Sequence, residues 1–185
     1  MAFAGNVDEL ALLQTIRLKG QVTADVLAAH LGVAVASAEA ARDALLGQGK
    51  AETVADGGFA LTDAGVAELG FQLDAERVSV DEDSIAEIRD RFLELDGPLR
   101  ELVAVVDTDA PDVDALAALD GKAQDVFDDV SAFVPRLSRY QDLFAEALVK
   151  VRSGDRTWIA APDVDSYLTV WGEMARELEG MVSEV

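Results

Sequence analysis

The second half of the chain is constrained by one recurring pattern, large apolar residues spaced alternately three and four apart. Ile85, Ile88, Phe92, Leu95, Leu99, Leu102 and Val106 follow it. So do Leu116, Leu119, Ala123, Val126, Val130, Phe133 and Leu137, and more briefly Tyr140, Phe144, Ala147 and Val151. Val164, Tyr167, Trp171, Met174, Leu178, Met181 and Val185 close the chain with it. A period between 3.5 and 3.6 places each set on one face of a helix, and such seams pack at small crossing angles. Residues 83–185 are therefore expected to form a helical bundle. Gly97-Pro98 predicts a kink, Asp109-Ala110-Pro111-Asp112 a turn, and Pro135 a junction. Ser153-Gly154-Asp155 predicts a stop, and Pro162-Asp163 the start of the last helix.

The first 75 residues follow a different rhythm. Val7, Leu10, Leu13 and Ile16 predict one helix, with Asp8 and Glu9 at the end where the helix dipole favours acids. Gly20 ends it, and Thr23 caps the next, whose buried face is expected to hold Val26, Leu27 and Leu31. Gly32 supplies a tight turn. A third helix runs from about Val35 to Leu46 with Ala38, Ala41, Leu45 and Leu46 inward, and Gly47 and Gly49 terminate it. Glu52–Ala55 and Phe59–Leu61 can pair as strands around Asp56-Gly57-Gly58. Thr62 then caps a further helix. An extended link is predicted at Arg77–Val80, and the acidic run Asp81, Glu82, Asp83 suits the start of the next helix.

The order from Thr23 to Thr62, helix, turn, helix and hairpin, resembles a winged helix-turn-helix. The Leu61-Thr62-x-x-Gly65 exit resembles that of MarR-like proteins. The resemblance spans residues 8–72. It implies an N-terminal winged helix-turn-helix carrying a small β-hairpin wing at 1–75; with the seams of the second half, the expected fold is mainly α, ending in a C-terminal helical bundle at 83–185. It also implies a transcriptional regulator whose third helix enters the major groove.

Charge bears directly on that implication. The chain of 185 residues carries a net charge of −21, which repels nucleic acid and anionic lipid over a Debye length. The first 75 residues hold four basic side chains (Arg17, Lys19, Arg42, Lys50) against ten acidic ones. The residues at the reading end of the third helix are Val35, Ala36, Ser37, Glu39 and Ala40, and the hairpin tip carries Asp56. Phosphate neutralisation supplies most non-specific DNA affinity, so the candidate contacts reduce to Ser37, Arg42 and Lys50. Two readings stand side by side. One is a regulator with few DNA contacts, aided by dimerisation. The other is a winged helix kept as a protein-interaction scaffold.

Other chemistry is sparse. There is no cysteine, so disulfides and thiolate metal sites are excluded. His30 is the single histidine, expected on the surface with no further ligands at metal-binding spacing. Asp107, Asp109, Asp112 and Asp114 fail the calcium-loop pattern, which requires Gly at its sixth position and Glu at its twelfth; Asp112 and Ala118 stand there. No Ser/His/acid set, phosphate loop or metal motif can be assembled. The chain is therefore not expected to be an enzyme or to need a cofactor, and neither catalytic nor metal-ligating residues are assigned. Asp163 and Asp165 could act as acid and base only in a pocket that shifts a pKa. Trp158, Tyr167 and Trp171 are candidates for a ligand pocket between helices, or core. Arg136, Arg139, Tyr140, Lys150, Arg152 and Arg156 form the densest basic cluster, placed to hold an anion or to pair with nearby carboxylates.

The segments RFLELDGPLREL and VRSGDRTWIAAPDVDSYLTVWGEMAREL look like the helical tail of actinobacterial winged-helix proteins, a tail sometimes attached to pyruvate, phosphate dikinase-like enzymes. Arg91, Phe92, Gly154, Asp155, Trp158 and Tyr167 are among the matching positions. That resemblance implies a regulatory or interaction module without phosphotransfer. The first functional expectation is thus a winged-helix regulator of weak intrinsic DNA affinity, whose helical domain dimerises or senses a ligand. The alternative is an acidic adaptor that binds a basic protein partner without binding DNA. A homodimer is expected from the long seams. The first residues lack the features of a signal peptide, and no apolar run approaches a membrane span, so no membrane contact and a cytoplasmic location are expected.

Overall fold

The computed structural model describes residues 3–104 and 112–182. The expectations placed on Val106, Asp107, Asp109, Pro111 and Val185, and on the side chain of Asp56, lie outside the described residues. The structure is mainly helical, with one small antiparallel hairpin after the N-terminal helices. It divides into two compact units, Met1–Ser79 and Val80–Val185. No single helix among the described residues is long and apolar enough to cross a membrane.

In the first unit, α1 (Glu9–Lys19) is capped by Asp8, whose carboxylate accepts from the Ala11 N–H at 2.8 Å. Thr23 caps α2 (Ala24–Leu31) through the Val26 N–H. Gly32 then takes the left-handed conformation (φ 66°), which lets the Val33 N–H reach the Ala28 carbonyl and turns the chain into α3 (Val35–Gly47). Strands β1 (Ala51–Thr53) and β2 (Phe59–Leu61) pair with Ala51 opposite Leu61. A short 3-10 turn at Ala55–Gly57 joins them. Val22 exchanges both backbone hydrogen bonds with Phe59 and so ties the α1–α2 connection to the hairpin. Helix α4 (Asp63–Val78) is capped by Thr62, whose hydroxyl donates to the Gly49 carbonyl at 2.6 Å. At Gly65 a Cβ would collide with the Lys50 carbonyl, so only glycine lets α4 pass this close to the end of α3. The core is mostly aliphatic: Leu12, Leu13, Ile16, Leu27, Ala38, Ala41, Leu45 and Leu69, with the Phe59 ring buried among them.

In the second unit, α5 (Glu82–Glu94) is capped by Asp81, and α6 (Asp96–Ala104) follows after a one-residue break. Helix α7 (Val113–Phe133) is capped by Asp112. A 3-10 turn, Pro135–Ser138, leads into α8 (Arg139–Arg152). The short α9 (Thr157–Ala160) precedes α10 (Tyr167–Met181). Helix α5 packs on α7 and α10, and α8 packs on the same two, so four helices close a ring around one core. The seams read from the sequence supply that core: Ile85, Ile88, Phe92 and Leu99; Leu116 to Val130; Tyr140, Phe144, Ala147 and Val151; and Tyr167 to Met181.

Several local expectations are corrected. The Gly97-Pro98 pair does not kink a continuous helix. The break falls at Leu95, and Pro98 sits in the first turn of α6, where a helix has no use for its missing N–H. Arg77–Val80 is not an extended link, because α4 runs on to Val78, supported by an Arg77–Asp74 pair one turn apart (3.2 Å). The last helix opens at Tyr167 and not at Pro162-Asp163: Ser166 accepts from the Thr169 N–H and is the stronger cap. In α2 the buried stripe runs through Leu27, Ala28 and His30, which turns Val26 outward. His30 is thus buried where the sequence suggested exposure.

Candidate functional site

Two places gather the residues singled out by chemistry, one in each unit. The first is the surface of α3 and the hairpin. Lys50 leaves α3 at the hairpin's base, and its ammonium lies 2.7 Å from Glu9 of α1 and 3.7 Å from Glu68 of α4. The lysine side chain keeps only 20% of its exposure there. It fastens three elements together. Arg42 stands on α3 and donates through both Nε and Nη2 to Asp43, its immediate neighbour, at 2.9 and 2.8 Å. Ser37 is half-buried, and the turn at Ala4–Asn6 packs over the start of α3. At Gly5, which has φ 71°, a Cβ would strike the Ser37 carbonyl. The residues α3 leaves open are Val35, Ala36, Glu39, Ala40 and Asp43, a small apolar strip with two carboxylates. The structure therefore does not gather Ser37, Arg42 and Lys50 into one exposed cationic patch.

The second place is α10. Tyr167 and Trp171 are fully buried, and both belong to a stack of rings. Phe92 lies 4.2 Å from Trp171 between centroids, Phe127 4.5 Å from Phe144, and Phe144 5.0 Å from Tyr167. Offset pairs of this kind contribute about 0.5–1.5 kcal/mol each beyond burial. The Tyr167 hydroxyl donates to Asp120 at 2.9 Å. Trp158 lies on α9, half-buried at the edge of the same core, with the Lys150 ammonium 5.7 Å above its ring. Tyr167 and Trp171 are thus packed core rings. An open cleft of about 420 Å³ lies between α6 and α7 instead, lined by Pro98, Glu101, Leu102, Ala115, Leu119 and Lys122 among others.

Beside the ring stack sits a group of buried polar residues. Arg136 donates to Glu177 at 2.8 Å, and both side chains are almost fully enclosed, at 8% and 3% exposure. Tyr140 donates to the same carboxylate oxygen at 3.4 Å. Glu173, one turn before Glu177, is also buried. Burial pushes the Tyr140 hydroxyl well above the ordinary tyrosine range, and the carboxylates of Glu177 and Glu173 push it further. Burial and then Asp120 raise Tyr167 in the same way. Both tyrosines therefore hold their protons and serve as donors to carboxylates. Arg139 pairs with Asp142 and Glu146, so the two arginines at the start of the basic cluster read from the sequence go to different carboxylates. Glu173 and Glu177 carry a signal that was open to reading. They are four residues apart, and each immediately precedes a seam residue, Met174 or Leu178, which places them at the edge of the buried face.

Asp163 and Asp165 lie in the turn before α10, the first exposed and the second half-buried. A scan against protein-family models finds no family that matches this chain, and searches of curated proteins and of solved structures find no match.

Proposed function

We propose that the N-terminal unit is a winged helix-turn-helix scaffold used for docking a protein, and that the chain is an acidic adaptor. The observation that carries this is the state of Lys50 and Arg42. Each of the two cations best placed for phosphate is already committed to a carboxylate of its own unit. Freeing Lys50 for DNA means breaking a partly buried pair, which costs about 1 kcal/mol or a five-fold loss in affinity. The phosphate then also meets Glu39 and Asp43 on the open face of α3. That face, small apolar side chains edged with acid, suits a partner with a small apolar ridge flanked by lysine or arginine.

The order of elements favours a second reading. Helix, left-handed turn at Gly32, helix and hairpin, with Val22 bridged to the hairpin, is the arrangement that presents α3 to a major groove. Under that reading Ser37, Arg42 and Lys50 are the contacts, and the C-terminal unit dimerises or senses a small molecule. Fluorescence anisotropy with mixed-sequence duplex DNA separates the two. The adaptor predicts no binding at micromolar protein and low salt. Binding that falls steeply with salt, and that weakens in Arg42→Ala and Lys50→Ala, overturns it in favour of the regulator.

A further inference from the structure

Two of the most exposed large apolar side chains in the molecule lie on the same helix. Phe71 is 80% exposed and Val78 is 89% exposed, both on α4. Seven residues apart, they lie on one face with exposed Asp74 between them, and exposed Ala64 and Ala67 continue that face toward the start of the helix. The opposite side of α4, through Gly65 and Leu69, is buried in the unit's own core. Gly70 also points outward, with open space where a Cβ would stand.

We propose that this face of α4 is a self-association surface that takes the α4 of a second copy in antiparallel register, with a two-fold axis between Gly70 and Phe71. An isologous contact must fit itself, and this face does so in two ways. In antiparallel register each Phe71 ring falls on Gly70 of the other copy, a projection on each helix over a gap on its mate. The same register sets Asp63, at one end of α4, near Arg77 of the second copy, where the guanidinium that already holds its own Asp74 at 3.2 Å would bridge two carboxylates at each end. A parallel register would instead oppose Phe71 with Phe71 and Asp74 with Asp74. The helix has 16 residues, about 24 Å. A single pair of such helices buries less than a stable dimer interface does, so the proposed dimer is a weak one, with a dissociation constant on the order of tens of micromolar taken as its range. The charge of −21 on each copy opposes association until salt near about 0.15 M shortens its reach to about 8 Å. The proposal does not depend on whether α3 meets a protein or DNA.

Sedimentation equilibrium of the full chain tests it, from roughly 5 to 500 μM protein, to bracket that constant, in about 0.15 M salt. The expected average mass rises from monomer toward dimer across this range. Phe71→Glu moves the midpoint up at least about ten-fold with an unchanged far-UV circular dichroism spectrum, since the side chain touches little of its own unit. Asp63→Arg and Arg77→Asp each weaken the dimer, and the double reversal restores it. The chain has no cysteine, so introduced thiols report the register. A mixture of Ala67→Cys and Asp74→Cys forms the mixed disulfide in preference to either homodimer. A monomer at the highest concentration overturns the proposal, and so does a dimer indifferent to Phe71→Glu. Efficient self-crosslinking of Val78→Cys overturns the antiparallel register.

Discussion

The two units place their charges differently. In the first, two cations act as fasteners near the surface: the partly buried Lys50 joins α1, α4 and the base of the hairpin, and Arg42 rests on the adjacent Asp43. In the second, one pair goes inside. Arg136 and Glu177 meet beside stacked rings, with Tyr140 as a further donor. The first unit is held by an aliphatic core that includes many alanines, the second by a core that holds six buried aromatic rings among its described residues. A small-residue core leaves little shape to distinguish one packing from another, and surface fasteners then help to hold elements in register. A core of rings already has strong shape, and a buried ion pair there adds a directional constraint more than stability. The contrast also bears on function. A surface cation already paired is a poor phosphate ligand, and a buried one is none at all.

The contrast breaks most readily at Arg136. Arg136→Met leaves the Glu177 carboxylate buried opposite a neutral side chain, and chemical denaturation is expected to show a loss of about 3–5 kcal/mol. The double change Arg136→Met with Glu177→Leu should recover most of it. If the single change costs as little as a surface pair, the pair is not buried in solution and the contrast fails.

Alkaline pH sharpens the same point. Tyr140 and Tyr167 have folded pKa values raised above those of the unfolded chain. The folded state keeps both protons while the unfolded state releases them above pH about 10. Their contribution is therefore complete below that pH and is lost as pH rises toward the folded values. Stability of the second unit should fall by about 1.4 kcal/mol per pH unit for each tyrosine. Tyr140→Phe and Tyr167→Phe should each flatten that slope, as read from unfolding free energies between neutral and strongly alkaline pH.

The smallest effects belong to the first unit. Lys50→Met is expected to cost about 1 kcal/mol, and Arg42→Ala less than about 0.5 kcal/mol, by thermal or urea unfolding. A loss at Lys50 as large as that at Arg136 would show the surface pair to be structural, and the two units would no longer differ in kind.

Much of the helical framework was legible because periodicity is local. Phe92, Leu119, Phe144 and Met174 fall on one face by arithmetic, and each is buried as a result. Caps were legible for the same reason, since Thr23 and Thr62 bond to residues three positions on. The break at Leu95 was misplaced because proline forbids a position inside a helix yet tolerates its first turn, and the sequence alone does not say which applies. Arg136 stood out as one of a cluster, but Glu177 lies 41 residues away in the chain. No local rule pairs them.

What the sequence determined by itself was the helical character, the hairpin's place after the N-terminal helices, and a strongly negative charge that disfavours nucleic acid. Each follows from side-chain period, turn chemistry or a sum over residues, and none needs two distant residues to meet. Only the tertiary structure decided that Lys50 spends its charge on Glu9, that Tyr167 and Trp171 are packed rings, and that Phe71 and Val78 share an uncovered face. Those outcomes depend on which surfaces close against each other, and closure brings together groups that the chain keeps far apart.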